Sequence, residues 1–194
     1  MDNLYAFFVE MDKLKSVYRR SYLTDFSRNE NSAEHSWHLA LAILTMKEEF
    51  SLEIDINRTV KMALVHDICE IGAGDISIYD PDRSMKEEQE RAYLRTLSKM
   101  PVIFSSEISS LWEEYEAQQT AESRWVKIVD RLLPFMLNMS TEGKAWREQG
   151  IKRSQVKEVN QVMATEAPDI YRWLLAQIDA AVENGWLIDD DLPL

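Results

Sequence analysis

Three histidines occur in this chain of 194 residues, and two of them stand in a pattern that can hold a metal ion. His35 lies in Glu34-His35-Ser36-Trp37-His38. His66 is followed at once by Asp67, and Asp130 comes much later, in Lys127-Ile128-Val129-Asp130. Two imidazoles and two carboxylates make a mixed nitrogen and oxygen donor set, suited to one divalent ion from the group Mn, Co, Fe, Ni, Zn or Mg. The chemistry such a set supports is attack on a phosphorus ester by a water that the ion activates.

The surroundings of these residues strengthen the reading. Leu64-Val65 precedes His66-Asp67 and Ile68-Cys69 follows it; Ile128-Val129 precedes Asp130 and Leu132-Leu133 follows. A carboxylate in such an apolar helical setting is costly unless it is paired or bound to metal. His38, one turn after His35, reads as a packed residue, and Cys69 as a small buried filler. Glu70 and Asp75 can project past the ligands towards a substrate; otherwise they are a helix-end and a turn residue. Arg19, Arg20 and Arg28 can bind phosphate through the guanidinium fork, or belong to a solvated charged face. Lys127 can neutralise a phosphate near Asp130 or be a surface lysine, and Lys61 and Arg131 read as surface.

These residues need long helices to hold them, and the sequence supplies the signals. Glycine and proline number only five each, against 45% hydrophobic residues, which favours helices over a turn-rich β fold. Leu4, Phe7, Phe8, Met11, Leu14 and Tyr18 recur at helical spacing. Asn31 followed by Glu34 reads as a capping box opening a helix over about 32–50. Further helices are expected over about 57–70, 85–100, 105–118, 121–139, 154–166 and 167–183, with an irregular stretch at 76–84 and breaks at Gly72-Ala73-Gly74 and Glu142-Gly143. The sum is one all-α domain over 1–194, a compact multi-helix bundle.

Charge and composition narrow the partners. The formal net charge of −12 repels long nucleic acids and anionic membranes, so a small anionic substrate needs a local basic pocket. A single cysteine excludes an intramolecular disulfide, and no apolar run reaches membrane-spanning length; the expected location is the cytoplasm.

The segments Asn29-Glu30-Asn31-Ser32-Ala33-Glu34-His35-Ser36 and His66-Asp67-Ile68-Cys69-Glu70-Ile71-Gly72-Ala73-Gly74-Asp75, with Asp130, resemble the HD-domain metal-dependent phosphohydrolases. The likeness is closest to the branch containing the bacterial 5′-deoxynucleotidases and the uncharacterised HD hydrolases related to them. The resemblance implies an all-helical fold, usually a homodimer, with one divalent metal held by His35, His66, Asp67 and Asp130. It gives Glu70 and Asp75 the work on the nucleophilic water and leaving group, and Arg20 a phosphate contact, to which Arg28 and Lys127 can add. The deoxynucleotidases carry a tryptophan beside that arginine, associated with the deoxyribose; here the position is Ser21, followed by Tyr22. The reading is therefore a metal-dependent phosphomonoesterase for a small phosphate ester, a nucleoside 5′-monophosphate foremost. The rivals are another phosphohydrolase of the superfamily, such as a phosphodiesterase, and a non-catalytic metal-binding helical module.

Overall fold

The computed structural model describes residues 1–80 and 85–191. Among the described residues the chain is mostly helical, with one small two-stranded sheet, as the all-α expectation requires. Two compact units are present: Met1–Arg19 with Glu30–Val129, and Arg20–Asn29 with Asp130–Leu194.

The first unit opens with α1 (Asp2–Asp12) and a 3-10 turn, Lys13–Ser16. Only part of the expected N-terminal stripe is buried. Phe7 and Leu14 are in the core, whereas Leu4 and Phe8 face solvent. The stripe also ends sooner than its spacing suggests. Val17 is extended, and β1 (Tyr18–Tyr22) pairs with β2 (Asn29–Asn31), so Tyr18 belongs to a strand.

The capping box that starts α2 (Ser32–Glu49) forms as expected. Asn31 Oδ1 accepts from the Glu34 amide at 2.9 Å, and Glu34 Oε2 accepts from the Asn31 amide at 3.1 Å. Losing such a cap costs about 1 kcal/mol. Asn31→Ala should lower the urea midpoint accordingly, with an unchanged slope.

The buried face of α2 carries Ser32, His35, Ser36, Leu39, Ala40 and Ile43, and packs on α3 (Ile56–Val65). Asp55 caps α3 by accepting from the amides of Asn57 and Arg58. Here the structure departs from the helix expected over 57–70. α3 stops at Val65, and the chain tightens into i→i+3 bonds: Ile68 to Val65, Glu70 to Asp67, Gly72 to Cys69. A short α4 (Glu70–Ala73) follows and ends at Gly74, whose φ of 76° suits glycine alone. The tight turns displace Glu70 from the simple one-turn relation to His66 that an unbroken helix would give.

Helix α5 (Lys86–Leu97) packs on α4, and α6 (Phe104–Ala117) on α3. The irregular stretch expected at 76–84 is without helix or strand through residue 80; residues 81–84 lie outside the described residues. Helix α7 (Ala121–Ser140) contributes its first half to this unit and continues unbroken into the second. Pro134 has no N–H to give the carbonyl four residues back, that of Asp130.

The second unit holds the rest of α7, then α8 (Lys144–Gln149), α9 (Arg153–Asn160), α10 (Met163–Glu166) and α11 (Pro168–Glu183). The expected break at Glu142-Gly143 is present. Gly143 has φ +63°, and a Cβ there would lie 2.5 Å from Trp186 Cβ. The helix expected over 154–166 is two pieces, and α8 was not legible from periodicity. Phe135 packs on Trp146 in the core of this unit and meets the exposed Trp173 edge-on, with Leu174 and Ile178 of α11 fully buried. In the hairpin tip, the Tyr22 hydroxyl donates to Glu148 at 3.1 Å and its ring lies under Lys144 Nζ at 3.7 Å.

Candidate metal centre

The capping box fixes where α2 begins and so where His35 sits, four residues in and fully buried. His66 closes α3, and the two rings lie 5.5 Å apart between centroids. His66 Nδ1 lies 2.9 Å from the Ala63 carbonyl oxygen. A carbonyl only accepts, so Nδ1 carries a hydrogen, and the neutral ring presents the lone pair of Nε2. Nε2 faces Asp67 Oδ1 at 3.1 Å. Two donors bound to one ion at about 2.1 Å and at right angles stand about 3.0 Å apart, so this pair fits a shared divalent cation.

Asp130 follows Val129 in the unbroken α7 and is buried. One ring nitrogen of His35 and one of His66 lie within 4.8 Å of each other. Two donors on one such ion stand about 3.0 to 4.2 Å apart, according to the angle between them, so the two rings come within reach of a shared ion after a small movement. The donor chemistry and spacing fit a borderline divalent metal.

Around this set the structure adds two residues to which the sequence assigned no metal-site role. Arg19 Nη1 donates to Asp67 Oδ2 at 2.6 Å. Glu30, buried in the middle of β2, lies with Oε2 3.5 Å from His35 Nδ1 and 3.7 Å from Arg19 Nε. No periodicity in the sequence singled out Arg19, because Tyr18-Arg19-Arg20-Ser21-Tyr22 has no apolar alternation. Residues 19 and 21 share one face of β1, whereas Arg20 falls on the other and is exposed.

Glu70 is 2% exposed and engaged at both oxygens: Ser32 Oγ donates to Oε2 at 2.7 Å and Lys86 Nζ to Oε1 at 2.8 Å. Burial raises its carboxyl, the Asp67 charge adds to that, Lys86 opposes, and the result is pushed up to about 7. Asp75 is half-buried just past Gly74. Lys127 Nζ donates to the Tyr115 hydroxyl at 2.9 Å and lies over its ring, and Tyr115 meets the His66 ring edge-on at 5.2 Å. Arg28 is exposed and donates to the Asn29 carbonyl. His38 is half-buried and stacks on Trp37, and Cys69 is fully buried, its thiol pushed up by burial.

Comparison with known proteins agrees with this geometry. The family model described as HD domain matches residues 11–171. The 5′-deoxynucleotidase HDDC2 of Bos taurus is 32% identical over 132 residues, 66% of this chain and 63% of that protein. The Homo sapiens protein of the same name is 30% identical with the same coverage. The chain thus spans somewhat less than two thirds of these relatives. A solved structure described as a predicted metal-dependent phosphohydrolase, from Magnetospirillum magnetotacticum MS-1, is 39% identical, covers 96% of this chain and 95% of its own, and superposes with a TM-score of 0.88. With His35, His66-Asp67 and Asp130 in order along a helical chain, this protein belongs to the HD domain family.

Proposed function

We propose that the protein is a metal-dependent phosphomonoesterase that hydrolyses a small phosphate ester, a nucleoside 5′-monophosphate first of all. The observation that carries this is the lone pair of His66 Nε2 facing Asp67 Oδ1 at 3.1 Å, with a buried, doubly held Glu70 on the turn that follows. The ligand set is His35, His66, Asp67 and Asp130, with one divalent ion per chain. That ion, when bound, supplies Lewis acidity towards a phosphate oxygen and a water. The similarity to proteins named 5′-deoxynucleotidase supports the substrate class, and the family match across residues 11–171 supports one functional domain over 1–194.

The chain's own residues divide the remaining work. Glu70 receives hydrogen bonds from Ser32 and Lys86, so it stands as an acceptor that can orient a water and take its proton. Asp75 serves the leaving-group side. Lys127 balances charge on the phosphate oxygens, and Arg20 and Arg28, exposed in this structure, join it by swinging in when a phosphate is bound. Among the described residues no helix is long and apolar enough to cross a membrane, and the surface carries a net charge of −12; both are compatible with a cytoplasmic enzyme. The exposed Trp37, Leu41 and Leu44 on one side of α2 are compatible with a homodimer, which light scattering tests.

The deciding experiment is a phosphate-release screen over ribo- and deoxyribonucleoside monophosphates with Mn, Co, Mg and Zn supplied separately, beside a phosphodiester. Turnover on monoesters alone supports the proposal; turnover on the diester alone moves the protein to the phosphodiesterases; none with any metal leaves a binding module.

Sugar selectivity is expected to be weak. The position beside Arg20 is Ser21, small and hydroxylated, which tolerates a 2′-hydroxyl where an aromatic wall would not. Tyr22 does not stand in for that wall, since Glu148 and Lys144 hold its hydroxyl and ring. The kcat/KM values for a ribonucleotide and the matching deoxyribonucleotide should differ by less than about tenfold. A strong deoxy preference that vanishes in Tyr22→Ala would show that Tyr22 leaves its contacts and lines the sugar site.

A further inference from the structure

Glu70 is held from two directions. Ser32, the first residue of α2, donates to Oε2, and Lys86, the first residue of α5, donates to Oε1. The terminal torsion of a glutamate is broad when left to itself. One donor on each oxygen fixes the plane of the carboxylate and still leaves each oxygen a second acceptor site. Lys86 is in turn anchored by Glu90, one turn along α5, at 3.4 Å. The side chains of Lys86 and Glu90 are 11% and 13% exposed, so neither is a solvated surface charge. A buried lysine–glutamate pair is no more stable than an apolar pair of the same size, so stability alone gives little reason for it. Burial works against the Lys86 ammonium, but Glu70 and Glu90 more than offset this and keep it charged.

We propose that Lys86 is a positioning residue: it reaches from α5 to the Glu70 carboxylate and, with Ser32, sets the direction in which that carboxylate meets the nucleophilic water. The proposal rests on the phosphomonoesterase reading. Sequence offered no sign of it, because the contact joins residues sixteen apart across the described turn of α4 and a segment with no helical periodicity.

The test uses the full chain loaded with the metal that best supports wild-type turnover, and the variants Lys86→Met and Lys86→Arg. Lys86→Met should bind wild-type amounts of metal and keep KM within about twofold, while kcat falls about ten- to a hundredfold, the cost of a misdirected catalytic group. Lys86→Arg should restore most of kcat, because a donor of the same charge again reaches Oε1. Crystal structures of the two variants should show Glu70 withdrawn from Ser32 in the first and retained in the second. Lys86→Gln, a neutral donor, covers the case in which Lys86→Met does not fold, and should lower kcat in the same direction. Unchanged kcat in Lys86→Met or Lys86→Gln, or a Glu70 carboxylate that has not moved, overturns the proposal. Equal losses in the Met and Arg variants, with metal and fold intact, overturn it as well. Should the wild-type protein hydrolyse no ester, the functional reading fails. The Glu70 position in the variant crystals then still decides whether Lys86 positions it.

Discussion

Asp67→Ala, purified from cells supplied with Mn or Co, should lose tight metal binding, with affinity down by more than about a hundredfold. Two effects compound. One is the loss of Oδ1, the donor that sits 3.1 Å from His66 Nε2. The other is electrostatic: Oδ2 is the partner of the Arg19 guanidinium at 2.6 Å, and without it a mostly buried positive charge faces the place a cation must occupy. Elemental analysis measures the first consequence directly. Thermal unfolding measures it again, since a ligand at a hundred times its Kd stabilises the native state by about 2.7 kcal/mol. Added metal should therefore raise the melting temperature of the wild-type protein and leave that of Asp67→Ala where it was. His66→Ala should behave in the same way. Full metal occupancy in Asp67→Ala would remove Asp67 from the ligand set and leave His35, His66 and Asp130 as the donors.

Glu70→Ala should show the complementary phenotype, with metal and fold kept and turnover lost. Positioned proton transfer contributes about 10²- to 10⁴-fold, and kcat should fall within that range. The assignment follows from what surrounds the side chain. Ser32 and Lys86 occupy one acceptor site on each oxygen, so Glu70 faces the site as an acceptor and not as a ligand already spent on the ion. Metal content has to be matched between variant and wild type before the rates are compared. Turnover equal to wild type under that condition would reduce Glu70 to a helix-end residue and shift the proton to Asp75.

The helical order was legible in the sequence where local chemistry writes it. Asn31 and Glu34 announce the start of α2, and the apolar periodicity of 104–117 and 121–140 marks α6 and α7. His35 and His66 were equally legible, because imidazoles and carboxylates in apolar helices call for a partner. What escaped is what the chain brings together from a distance. Arg19 meets Asp67 across 48 residues, and Ser32 meets Glu70 across 38. No spacing rule reaches that far. The three-residue β2 and the polar β1 carry too little alternation to read as strands, and they are what aims Arg19 inward and Arg20 outward. The end of α3 at Val65 escaped for a different reason. Apolar residues continue through Ile68 and Cys69, so periodicity runs on while the hydrogen bonds shorten to i→i+3.

The capping box has a bearing on how the length of this chain can vary. From Glu30 to His35 nearly every side chain has an assignment: Glu30 beside His35 and Arg19, Asn31 and Glu34 at the cap, Ser32 on Glu70, His35 in the ligand set. A helix turns about 100° per residue. Inserting or deleting one residue between Asn31 and His35 would therefore swing the imidazole out of the site while leaving the helix itself sound. Residues 24–27 at the hairpin tip are exposed and carry no such burden. A library of loop-length variants should accordingly yield active proteins at the tip and folded, metal-free ones five residues further on, so the register of this short segment is a boundary for anyone re-engineering the protein.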